Sequence, residues 1–147
     1  MQKIVDKIYI GLWEDECNLN QLQTKNISHV LIAAAEIEPS HNDFLIYKKL
    51  HILDKDRYDI NAYFEEAYEF IKLGVSEGTG VLVYAFKKWS APAALIVAYF
   101  IQSLQVDFSR AMGLMHRTGL VFVINRGFVE QLKIYSAKQM AAKRHHE

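Results

Sequence analysis

One cysteine, two prolines and seven glycines are all that this 147-residue chain holds of three structure-punctuating residue types. A lone thiol, Cys17, excludes an internal disulfide framework and any multi-cysteine zinc module. So few prolines and glycines leave no room for a collagenous segment or a Pro-rich linker. Charge of one sign is lacking too: Lys+Arg 17 stands against Asp+Glu 17, for a formal net charge of +0. Counterion release needs clustered cations, so no nucleic-acid partner is expected. The longest apolar run, Ala91 to Ile101, falls well below the ~20 residues that span a bilayer. Lys3 and Asp6 put charge inside what would be the apolar part of a signal peptide. No membrane partner is expected, and the cytoplasm is the expected location. What is present is ordinary: 51% hydrophobic and 23% charged residues, the average of a globular domain. A chain of this length suits one domain and buries roughly 68–70% of its unfolded surface.

Punctuation and periodicity give the order of elements. Ile4 to Ile10 reads as an edge strand closed by Gly11, Asn18 to Lys25 as a short helix, and Ile27 to Ala33 as a buried β-branched strand. Leu45 to Leu53 reads as a further strand with basic residues at its middle. A charged loop, Asp54 to Asp59, then offers Asp59 as an N-cap. Ile60, Tyr63, Phe64, Ala67, Phe70 and Ile71 share one helical face. Val81 to Tyr84 is too short for a helix and apolar throughout, as a central strand covered on both faces reads. After the loop Ala85 to Ser90, Pro92 to Leu104 is a helix apolar nearly all round, and proline suits its first turn. Asp107 caps a helix over Phe108 to Arg117, and Phe128 to Met140 forms the last, with Val129, Leu132 and Tyr135 inward. The expectation is a single α/β domain over residues 1–140, with a frayed tail at 141–147. Its sheet is central, twisted and mostly parallel, with helices on both faces.

Strand, tight loop and buried helix in that order make an anion cradle, because loop amides and the first-turn amides of the helix point at one spot. That pattern alone occurs in many α/β proteins. The surrounding text narrows it. Ile8-Tyr9-Ile10-Gly11, Asn26-Ile27-Ser28-His29-Val30-Leu31, Asp54 ahead of Asp59-Ile60 and Tyr63-Phe64, Gly80-Val81-Leu82-Val83, Leu95-Ile96-Val97-Ala98-Tyr99 and Ile124-Asn125-Arg126-Gly127-Phe128 follow one another in order. From about Lys3 to Tyr135 the chain resembles the dual-specificity protein tyrosine phosphatases. The resemblance implies the protein tyrosine phosphatase-like fold, a phosphate loop at Ala85, Phe86, Lys87, Lys88, Trp89, Ser90 and Ala91, and a general acid at Asp54.

The family signature is His-Cys, two residues, Gly, one residue, Ser-Arg. On this chain it places Tyr84 at the His, Ala85 at the Cys, Lys88 at the Gly, Ser90 at the Ser and Ala91 at the Arg. The family's chemistry needs a low-pKa thiolate to attack phosphorus and an arginine to grip phosphoryl oxygens bidentately. Methyl groups at Ala85 and Ala91 do neither. The expected function is therefore a pseudophosphatase, a protein-binding or regulatory module without phosphate-ester hydrolysis. The alternative is a residual or atypical phosphatase acting on phosphotyrosine, phosphoserine or phosphothreonine. A third reading is an interaction domain that has lost phosphate recognition altogether. The partner implied is a protein, a phosphoprotein or a kinase.

Each residue also has a plainer reading. Asp54 is a leftover general acid or a well-solvated loop aspartate. Phe86, Lys87, Lys88 and Trp89 have the composition of an interface hot spot, yet Trp89 equally suits a side chain folded down into the vacated phosphate space. Ser90 reads as a helix cap and Tyr84 as a strand residue with a satisfied hydroxyl. A lysine at Lys88, in place of glycine, predicts a reshaped loop. His29, His51, His145 and His146 show no metal-ligand spacing, so neither a metal nor a cofactor is expected. Glu14, Asp15 and Glu16 beside Cys17 argue against a reactive thiol.

Overall fold

The chain builds its sheet around the run that the sequence marks as central. In the computed structural model, residues 1–146 are described, and side chains through residue 144. Five strands, β1 (Gln2–Val5), β2 (Ile8–Leu12), β3 (Ile27–Ala33), β4 (Ile46–Leu50) and β5 (Gly80–Ala85), lie in the order β1-β2-β5-β3-β4. β5 is parallel to both its neighbours, β3 is parallel to β4, and only β1 runs antiparallel. Every residue of β5 is buried, as a strand covered on both faces requires.

Alternation along β5 divides the core. Val81 and Val83 face the larger cluster, with Leu95, Phe64 and Phe128. Leu82 and Tyr84 face a smaller one, with Leu22, Val30 and Ile32. The first face is covered by α3 (Phe64–Ser76), α4 (Ser90–Leu104), α5 (Phe108–His116) and α6 (Arg126–His146). The second face is covered by α2 (Leu19–Thr24), with the single-turn α1 (Trp13–Glu16) at the end of β2. α4 packs against α3, α5 and α6, which explains its apolar circumference. Among the described residues no single helix is long and apolar enough to cross a membrane.

Local differences from the sequence reading have local causes. The expected edge strand Ile4 to Ile10 is two strands, reversed at Asp6-Lys7 with Lys7 at φ 69. A lysine in left-handed backbone gives no turn signal of the Asn-Gly kind. β4 is shorter than Leu45 to Leu53, because its ladder to β3 ends at Leu50. Asp59 makes no side-chain cap; the chain enters α3 through a 3-10 turn, Ile60–Tyr63. Asp107 does cap α5, accepting from the Arg110 N–H at 2.9 Å. α6 continues through 141–146, where a frayed tail was expected, and Glu147 lies outside the described residues.

Candidate functional site

At the C-terminal ends of β3 and β5, where open parallel sheets bind ligands, lies a cleft of about 260 Å³. Its floor is hydrocarbon from Ala33, Ala34, Ile52, Ala85 and Ala91, and Leu53 and Phe86 wall it. Glu36, Asp54, Lys87 and Lys88 supply its charge, two of each sign. The structure thus brings together Asp54 and most of the expected phosphate loop, and leaves the cradle open. Lys87 and Lys88 are exposed. Trp89 is half-buried and packs on the core, yet also lines a neighbouring hollow. Its side chain does not line the cleft, so it does not fill the phosphate space.

Asn125 organises the cleft's outer edge. Its side-chain amide donates to Asp54 Oδ1 at 2.7 Å, fixing the acid loop. Its Oδ1 accepts from the Phe128 N–H at 2.8 Å, at the start of α6. Its own backbone N–H donates to Ser90 Oγ at 2.9 Å. Ser90 is therefore not a helix cap: the cap position is Trp89, and the hydroxyl ties α4 to the α6 approach instead. Gly127 completes the junction, since a Cβ there would lie 1.7 Å from the Asp56 carbonyl oxygen. Gly127→Ala is expected to cost at least about 1–3 kcal/mol of overpacking and to expel the Asp54–Asp56 loop. A lowered denaturant midpoint and a changed Asp54 environment by NMR would show both effects.

Tyr84 is fully buried, but its hydroxyl finds no partner. The expected satisfied hydroxyl is corrected: the ring sits in a mostly apolar cluster, and no acceptor lies within hydrogen-bond reach of the hydroxyl. Burial first, then the charge of Glu16, pushes its phenol far above the ordinary value, so it stays neutral. Removing an unpaired buried hydroxyl removes its desolvation cost, so Tyr84→Phe is expected to stabilise the fold by about 1 kcal/mol. A fall in the denaturant midpoint would contradict this.

Two features escaped sequence reasoning. Trp13 packs its ring against Phe86, centroids 5.8 Å apart, and the Trp13 backbone N–H donates to the Phe86 carbonyl at 3.3 Å. Trp13 thereby backs Phe86, which lines the cleft and carries Lys87 Nζ over its ring. Glu16, fully buried, holds α1 in place. Its carboxylate accepts from the Tyr47 hydroxyl at 2.6 Å, the Ser40 hydroxyl at 2.8 Å and the Ser40 N–H at 3.1 Å. Contacts over 24 to 73 residues of separation leave no local signature. Cys17 is exposed and lines neither hollow; burial, then Glu16 and Glu14, raise its thiol pKa. Among the described residues no group of His, Cys, Asp and Glu is placed to hold a metal.

The family model for the dual specificity phosphatase catalytic domain matches residues 8–138. The chain belongs to the dual specificity phosphatase family. Dual specificity protein phosphatase 1B of Arabidopsis thaliana is 32% identical over 133 residues, covering 90% of this chain and 80% of that protein. Of a second Arabidopsis relative, Dual specificity protein phosphatase 1, 29% identical, the match covers 64%. Among solved structures, the human tyrosine phosphatase-like serine/threonine/tyrosine-interacting protein aligns with TM-score 0.86 and 28% identity, over 94% of this chain and 96% of that one. A mouse putative dual specificity phosphatase aligns with TM-score 0.90 at 19% identity, over 97% and 89%, a likeness of fold. The expected fold class is thereby borne out, and the cleft lies in a dual specificity phosphatase-like domain.

Proposed function

We propose that this dual specificity phosphatase-family domain is a pseudophosphatase: a protein-binding or regulatory module that does not hydrolyse phosphate esters. One observation carries the reading. Two side chains on the floor of the cleft, Ala85 and Ala91, are methyl groups, at positions where the family's chemistry needs a thiolate and a guanidinium. The neighbour named as an interacting protein supports a binding role. The partner is a protein, with kinases and phosphoproteins the classes that the family suggests. Asp54 on the same cleft favours the rival reading, a residual phosphatase. Release of phenolate from an aryl phosphate decides between them. Turnover that survives two independent purifications and disappears in Asp54→Asn overturns the proposal.

Free phosphate should bind in the millimolar range or more weakly. The amide end of α4 favours an anion by roughly 0.3–1 kcal/mol, and Lys87 and Lys88 are exposed and screened by salt. A bidentate arginine contact, with charge-assisted bonds worth about 1.5–3 kcal/mol each, has no counterpart at Ala91. Titration of phosphate followed by amide shifts measures this, and micromolar affinity would refute it.

A further inference from the structure

The cleft continues into a second hollow of about 410 Å³, and Asp54, Lys87 and Lys88 line both. The far wall of this hollow includes Val121, Phe122 and Val123. Val121 and Val123 are 88% and 78% exposed, more than any other large hydrophobic described. Between them Phe122 turns inward and stacks on His116, with centroids 5.2 Å apart, and Ile124 is buried. Burial thus alternates with period two, as in a strand laid on a core. Yet, among the described residues, the N–H groups of Val121 to Ile124 reach no acceptor within the chain. The segment presents what a sheet edge presents: free backbone groups flanked by apolar side chains.

The chemistry of the first hollow says what enters it. Its floor is methyl and methylene, and its rim carries Glu36 and Asp54 against Lys87 and Lys88. A rim with balanced charge and a hydrocarbon floor complements a neutral apolar group; a dianion would shed its water there for no net charge in return. Lys87, Lys88 and Trp89 also have backbone N–H groups with no acceptor among the described residues. The carbonyl oxygens of a peptide are neutral acceptors for them.

We propose that the trough takes an extended segment of a partner protein by strand addition along Val121 to Ile124, seating an unphosphorylated aromatic or large aliphatic side chain over Ala85 and Ala91. This deepens, and rests on, the protein-binding reading of the same cleft. Backbone pairing supplies affinity and the cleft supplies side-chain choice, the division of labour in strand-addition complexes. Phe86, backed by Trp13, forms the aromatic lip against which the seated side chain packs.

The probes are acetyl-Val-Tyr-Val-amide, its phosphotyrosine counterpart and p-cresol, each titrated into the whole chain and followed by amide shifts. The tripeptide should shift Ala85, Lys87, Val121 and Val123 together, and its phosphorylated form should bind at least ~10-fold more weakly. Val123→Asp, an exposed change that the fold tolerates, should weaken the tripeptide about 10-fold and leave p-cresol unaffected. Leu53→Asp should weaken both. Equal or tighter binding of the phosphorylated peptide overturns the proposal, as does a tripeptide indifferent to Val123→Asp or silent at millimolar concentration. Aryl phosphate turnover, measured on the same samples, separates the two levels. Turnover overturns the protein-binding reading itself, whereas silence of the tripeptide without turnover overturns only the trough assignment.

Discussion

Purified protein given 4-nitrophenyl phosphate should release phenolate no faster than buffer does, and Asp54→Asn should leave that rate unchanged. The magnitudes decide this. Phosphate-monoester hydrolysis is among the slowest uncatalysed reactions, and enzymes accelerate it by up to ~10²¹. A positioned general acid contributes typically ~10²–10⁴. Asp54 is exposed and already accepts a hydrogen bond from Asn125, so even that contribution requires the aspartate to leave its partner or carry the proton on its other oxygen. Attack on phosphorus and stabilisation of the transition-state charge must supply the rest, and the cleft floor offers hydrocarbon for both. Cys17 is no substitute, because it lines neither hollow and its thiol pKa is raised, by partial desolvation and then by the charges of Glu16 and Glu14.

The parts of this domain legible in sequence are those fixed by local periodicity or by short apolar runs. The face of Phe64, Ala67, Phe70 and Ile71 is buried as the helical spacing requires. Val81 to Tyr84 lies at the sheet's middle because a wholly apolar strand needs cover on both sides. The loop that carries Ala85 to Ala91 was legible for the same reason, lying between two elements that announce themselves. Features set by distant partners were not. Ser90 has the residue type of a cap, yet its hydroxyl serves Asn125, 35 positions away. Trp13 looks like any residue at a strand end until Phe86 is folded against it. Nothing in the sequence marks Val121 and Val123 as exposed; only the structure leaves them in solvent.

Restoring the two missing side chains should not restore the enzyme. Ala85→Cys with Ala91→Arg returns a nucleophile and a phosphate grip to an open cleft, and free phosphate should then bind measurably tighter, since a charge-assisted bidentate pair is regained. Turnover should nonetheless stay about 10²-fold or more below that of the same variant carrying Lys88→Gly as well. The reason lies in the loop. An anion held by backbone amides needs each N–H aimed at it, and misplacing one such donor, or shifting the reacting geometry by ~1 Å, costs about 10²-fold. Glycine can adopt positive φ to aim the amides around it, whereas Lys88 keeps negative φ. The new thiol also meets an unhelpful neighbour. Tyr84 is neutral, so the residue before the new thiol adds no positive charge, and only the amide end of α4 and the exposed, salt-screened Lys87 and Lys88 are left to lower its pKa. Steady-state rates and an iodoacetamide pH profile on the double and triple variants test both halves. If the double replacement alone reaches the rate of the triple, Lys88 has not reshaped the cradle. If its thiol titrates below neutrality, the environment around Tyr84 is not the obstacle.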